Sequence, residues 1–413
     1  MRRLTRFLLL LSSLGALWAT NNVHAMECDI GEPFETSFDS GASWQFCVTL
    51  DKQHALELRN IHYRAPGDFS RRVLSHLHLG QTLLHFHDQP QADVLINADK
   101  NADKNDSEVD GESQDGQSLG GDALKVLNEN LCDGTLHALD SADPYLCSSV
   151  KNTGLLAKYN LRPGLQGSQY RLFSVSQYKG LTFQIAVGLS EDGRIGPSVT
   201  LSGRTSATTN DKRYGNPVTE PTSQTDIIAT QASVLYTWRM AFAMSNDGDN
   251  DRVEEFNFKL LPSLNNRRPM EVTNLDVESL RQVDADAFRG WRVLTDIGNG
   301  YYLDPQNSGF SYSDKANNWA QFDLAVTAYN DCEKHTTVKH ASTNQASNSQ
   351  CIGSLDDFVN GESIANQSPV LWYSLSRVFR PKAEDYPVVS SMQTDFEIIP
   401  FDWTPTSPFE TTQ

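Results

Sequence analysis

The stretch Tyr170–Ser202, YRLFSVSQYKGLTFQIAVGLSEDGRIGPSVTLS, decides the fold class. Tyr170–Ser176, Leu181–Ser190 and Arg194–Ser202 are rich in β-branched and aromatic residues, and Glu191-Asp192-Gly193 between the last two is a tight-turn sequence. The three read as consecutive strands of a meander. Working outward, Trp44–Leu50 (WQFCVTL), Ala55–Tyr63 (ALELRNIHY) and Val73–Leu79 (VLSHLHL) alternate or are β-rich, and Val234–Met244 (VLYTWRMAFAM) and Phe396–Pro400 add further strands. The pattern predicts one helix, Val277–Arg289, capped by Asn274 or Asp276. Many strands and few, short helices make the chain mainly β, a large β-sandwich.

The chain has 413 residues, with 34 Lys plus Arg against 52 Asp plus Glu and a net charge of -18. Such an acidic surface repels phosphate backbones, which argues against nucleic acid as a partner. No apolar run reaches the roughly 18 residues that span a bilayer. The first 25 residues have the layout of a secretory signal: basic Arg2, Arg3 and Arg6, an apolar Phe7–Trp18, and Val23-His24-Ala25 at the cut, with Ala19 a second cleavage point. Export to the periplasm or the medium is the expectation, with 26–413 as one domain. Asn97–Asp122 is acidic and too polar to pack; a flexible insertion is favoured there over a calcium loop.

All six cysteines follow the signal, and an even number in an exported chain favours disulfides. Six cysteines permit 15 connectivities. Proximity in sequence favours Cys28–Cys47, Cys132–Cys147 and Cys332–Cys351. Glu333–Gln350 would then be a closed polar loop, with His335 and His340 in solvent.

Several stretches together resemble the catalytic domain of copper amine oxidases. The tail, GESIANQSPVLWYSLSRVFRPKAEDYPVVSS followed by FEIIPFDWTPTSP, is similar to that family's GESI…W-H-T-x-G-x-T-H-x-P-R-x-E-D-x-P-V-M run and its closing segment. Trp291-Arg292-Val293 resembles the family's WRV stretch, and Asp247-Gly248 before Val253-Glu254-Glu255 its D-G-x-x-N…V segment. Cys132 and Cys147, with Gly154-Leu155-Leu156-Ala157-Lys158 beyond, match a family disulfide and the run after it. The pieces lie in family order over most of 40–410. The resemblance implies a β-sandwich that dimerises, a copper ion, and a quinone (topaquinone) made from one of the protein's own tyrosines.

The residues such chemistry requires are replaced. Copper takes three imidazoles, two of them at i and i+2 on a strand. The resemblance places these ligands at Val234, Tyr236 and Phe379. Its quinone precursor falls on Leu181, with Tyr178 the alternative. The carboxylate base that removes the substrate proton has only Asp110 and Asp115 as candidates. A peripheral calcium site falls on Ala243, Ser245 and Ser368, and Asp247, Asp249 and Asp251 only imitate a calcium loop.

In place of these, His76, His78, His85 and His87 form two His-x-His pairs around Gly80-Gln81. If that dipeptide were a hairpin turn, four imidazoles and Asp88 could gather around zinc or copper. Three functions follow. The leading one is an exported, catalytically inactive relative acting as a binding or assembly domain, with no cofactor and an unidentified protein or small-molecule partner. The second is an active copper/topaquinone primary-amine oxidase, and the third a metal-binding protein using the histidine cluster.

Overall fold

The computed structural model describes residues 26–51, 55–88, 93–96, 119–157, 164–178, 180–204, 208–219, 226–245, 250–304, 318–338, 353–385, 387–407 and 409. The signal segment, Asp110, Asp115, Asp247, Asp249, His340 and Cys351 lie outside the described residues.

Two large antiparallel sheets carry the fold. The first, of nine strands, runs in the order Glu32–Ser37, Ser43–Asp51, Ala55–Arg64, Arg71–Phe86, Ala232–Phe242, Pro369–Phe379, Leu324–Ala328 and Ser279–Arg281, with Asp93–Ile96 also on Arg71–Phe86. The second, of eleven, is centred on the meander: Leu165–Tyr178, Leu181–Ser190 and Ile195–Gly203 pair in sequence. The expected strands fall within or overlap strands of the structure, Leu181–Ser190 with the same ends. Their alternation is what lets the sheets share a core. Trp44, Phe46 and Tyr63 of the first pack in one cluster with Ile185, Val187 and Leu189 of the second. Two hydrogen bonds join the sheets through that core: Trp44 Nε1 donates to the Ser190 carbonyl and Tyr63 OH to that of Glu191, each at 2.9 Å.

The first sheet is covered on its outer face as well. Leu83, Leu235, Ala241, Val370 and Trp372 point away from the sandwich and pack under Trp319, Ala320, Val338, Leu355 and Phe358. Burial on both faces explains why Ala232–Phe242 reads as a near-continuous apolar run.

Three local expectations are corrected. Val277–Arg289 is not a helix: Ser279–Arg281 is an edge strand paired with Leu324–Ala328, and Val277, Val283 and Phe288 stay exposed. Partners distant in sequence decide this segment. Both Glu278 carboxylate oxygens accept backbone N–H groups, from Ala328 and Asn360, at 3.0 Å, and such tertiary pairing overrides helical patterning. The polar stretch closes before Asp122, because Leu119 is fully buried and its carbonyl accepts a hydrogen bond from Ser176 Oγ. Gly80-Gln81 is not a turn. Arg71–Phe86 is one strand of 16 residues, and its ladder with Ala232–Phe242 shifts register between Leu79 and Gln81, so Gly80 is a bulge. Cys28–Cys47 and Cys132–Cys147 are disulfides, and Cys332 is disulfide-bonded as well.

Candidate functional site

The structure brings together the positions where the resemblance places copper, and brings together the two where it places the quinone precursor. Val234 and Tyr236 stand two apart on Ala232–Phe242, and Phe379 lies directly opposite Ala232 on the neighbouring strand. Residues two apart, or directly opposed, share a sheet face, and all three side chains enter the core between the sheets. Tyr178 and Leu181 are opposed at the end of the ladder between their strands, so the two precursor candidates stand on one face about 5 Å apart. Tyr178 belongs to the same core cluster, with Leu181 packed against it.

What this place can do chemically follows from its lining. An isopropyl group, a phenol and a phenyl ring offer no neutral imidazole, and the Tyr236 phenol is pushed well above its ordinary range by burial, with Arg377 acting weakly against it. The side chains here do not fit a copper ion. Among the described residues no three His, Cys, Asp or Glu side chains are grouped as metal ligands would be.

The histidine cluster does not form. His76, His78 and His85 lie on one strand, His87 just beyond its end. The Gly80 bulge resets the alternation, so His78 opposite Arg239 and His85 opposite Ser233 project to the same outer face, but the two pairs are separated by roughly 20 Å of strand. His87 Nε2 shares a hydrogen bond with Ser233 Oγ at 2.7 Å, and burial followed by the neighbouring His85 lowers its pKa. The His76 imidazole is driven down to about 3 by burial, then by Arg239 and Arg59.

Around His76 and His78 lies a buried polar network that the sequence did not announce. Arg239, 2% exposed, donates to the Asn330 carbonyl at 3.2 Å, with its guanidinium 5.4 Å from the ring centres of both Tyr329 and Trp372. Glu57, opposite His78 on the next strand, pairs with Arg59 at 3.1 Å and lies 3.9 Å from His78 Nδ1. The segment from Tyr329 to Thr336 covers them. His78 Nε2 donates to the Lys334 carbonyl at 3.0 Å, and Thr336 Oγ1 to Gln81 Oε1 at 3.0 Å. His335 is buried too, against expectation: its Nδ1 donates to the Gly80 carbonyl, turned outward by the bulge, at 2.9 Å. The signal that could have found this network was Arg239 inside an apolar strand, since a cation there must be paired.

Of the calcium positions considered, Asp247 and Asp249 lie outside the described residues. Ala243, Ser245 and Ser368 supply no carboxylate. Asp251 is buried and spends its oxygens within the chain, accepting from Met244 N at 2.7 Å, Ser245 N at 3.1 Å and Ser245 Oγ at 2.6 Å.

The family model described as "Copper amine oxidase, enzyme domain" matches residues 175–412. Among solved structures, the chain is similar to a copper-containing benzylamine oxidase from Hansenula polymorpha, with TM-score 0.67 and 14% identity over 94% of this chain and 65% of that one. It is also similar to an amine oxidase from Aspergillus nidulans (TM-score 0.67, 16% identity, 97% and 56% covered). A third likeness is to lysyl oxidase from Pichia pastoris (TM-score 0.68, 11% identity, 98% and 58% covered). The chain spans less than two thirds of each of these proteins, and at such identities the likeness is one of fold. No curated protein matches the chain in sequence.

Proposed function

Because the chain belongs to the copper amine oxidase enzyme-domain family, we propose that it is an exported member that keeps the sandwich as a binding or assembly domain and does not oxidise amines. The observation that carries this reading is the lining of the interior place described above. Val234, Tyr236 and Phe379 share one face of adjacent strands and are packed in the core with Tyr178 and Leu181. A protein that held copper there would need imidazoles in that layer. Loss of the ligands, of the precursor and of the base together argues for loss of the reaction as a whole. Association into a dimer belongs to the same proposal.

A second reading is favoured by one observation. Tyr178 stands directly across the hairpin from Leu181, close enough to take a precursor's place, and with copper held by residues other than Val234, Tyr236 and Phe379 it would make the protein an active primary-amine oxidase. One experiment separates the two. The chain without its first 25 residues, made in an oxidising compartment, is incubated with copper in air, denatured and stained for redox-cycling quinone beside a family oxidase. The proposed function expects no stain. A stain that disappears in Tyr178→Phe would overturn it in favour of the oxidase.

A further inference from the structure

A pocket of about 620 Å³ opens at the other end of the sandwich, between the Glu191-Asp192-Gly193 turn and the C-terminal segment. Its size is that of small-molecule sites. The strand Leu181–Ser190 has ten residues, so about 30 Å separate this pocket from Tyr178 and Leu181. Four aromatic side chains, Tyr63, Tyr302, Trp403 and Phe409, line it together with the carboxylates of Asp192 and Asp402.

The charges here do not balance. Arg194 is the one guanidinium in the lining, and two carboxylates share it: Asp192 at 2.6 Å and Glu397 at 3.4 Å. Burial first, then Asp304 and Glu397, push the Tyr302 phenol up, with Arg194 acting against them. Asp402 is exposed and has no hydrogen-bond or ion-pair partner among the described residues, although the backbone holds it in the left-handed region at φ 48°. The same corner already accommodates a cation of the chain's own. The Arg71 guanidinium lies 4.1 Å from the centre of the Trp403 ring, paired with Asp68 at 2.7 Å and donating to the Trp403 carbonyl at 2.6 Å. The wall is rigid as well, since Tyr63 is tied to the Glu191 carbonyl.

From surplus carboxylate, aromatic lining and a volume of small-molecule size we infer that this pocket is a binding site for a small organic cation, an amidinium, guanidinium or ammonium group on an apolar body. The half-buried Tyr302 and Phe409 rings are the ones open to the cation, the carboxylates supply its counter-charge, and Asp402 is the residue left unpaired to meet it.

Benzamidinium is the probe, with neutral benzamide of nearly the same shape as its control. Neither has a C–H beside an amine nitrogen to oxidise, so calorimetry reads binding without turnover. The expected result is saturable binding of benzamidinium, with benzamide roughly tenfold weaker or more. Asp402→Asn weakens benzamidinium roughly fivefold or more, leaves benzamide unchanged, and keeps the wild-type melting temperature because Asn tolerates a left-handed φ. Asp402→Lys, which brings its own ammonium, abolishes benzamidinium binding. The inference is overturned if neither probe binds, if both bind equally, or if benzamidinium binds both variants as it binds the wild type.

Discussion

Arg239 is the residue on which the outer face of the first sheet turns. Burial pulls its pKa down, and the neighbouring Tyr329, Glu57, Glu333 and Asp331 act against that pull. Removing the guanidinium takes away the buried cation that faces Glu57 and Glu333 and unbinds the Asn330 carbonyl, so Arg239→Met should cost about 3 kcal/mol. Urea unfolding measures this, and a loss below about 1 kcal/mol would mean the network resembles a surface ion pair. Glu333 belongs to the same network. Burial, then repulsion from Glu278, pushes its carboxyl up to about 7 from the ordinary 4.5. The folded state therefore holds that proton more tightly than the unfolded chain does. The stability it contributes is complete below about 4.5 and is lost as pH rises through about 7. His76 runs the opposite way, since its pKa is lowered to about 3 and its contribution is lost as pH falls below 6.5. Comparing wild type with Glu333→Gln cancels the histidine. Wild type should lose stability relative to the variant on going from weakly acidic to weakly basic buffer, and a pH-independent difference would remove Glu333 from this role.

At the scale of elements, the hairpin that closes at Gly193 ties the meander to the pocket. Gly193 has φ 87°, and a Cβ there would lie 2.7 Å from Tyr63 Cε1 and 2.8 Å from Pro400 Cγ. Neither a ring held by its hydroxyl nor a proline can yield easily, so Gly193→Ala combines backbone strain with overpacking and should cost about 3 kcal/mol. Gly67 separates the two contributions. It has φ 72° with nothing within 4 Å, so Gly67→Ala carries the strain alone, about 1 kcal/mol. Equal losses in the two variants, measured by denaturant titration, would show that packing at the turn is slack. The Gly80 bulge is the complementary case. It is placed by its neighbours, between Ala232–Phe242 on one side and the His335 ring on its carbonyl.

At the scale of the whole molecule, the first sheet is covered on both faces and committed to packing, while the second leaves Val150, Leu155, Met270 and Val272 exposed. The net charge of -18 biases recognition toward cationic partners, and more so at low ionic strength. The family reading carries an expectation for assembly. Sedimentation equilibrium should return twice the mass of the processed chain, and a single-chain mass at every concentration would remove dimerisation from the proposal.

The amino-acid sequence by itself determined the strands around Tyr170–Ser202, the Glu191-Asp192-Gly193 turn, and the pairing of Cys28 with Cys47 and Cys132 with Cys147. Alternation, turn residues and short loop closure are written locally, within a few residues of where they act. The order of the weak family matches was legible for a related reason, since each is a contiguous stretch. Only the tertiary structure decided that Ser279–Arg281 is an edge strand, that Gly80 is a bulge and not a turn, that the two histidine pairs stay apart, and that His335 is buried under a network centred on Arg239. Each of those outcomes depends on which strand lies alongside and what covers the face. Hydrogen-bond partners 50 to 255 residues away outweigh local propensity once the sheets assemble.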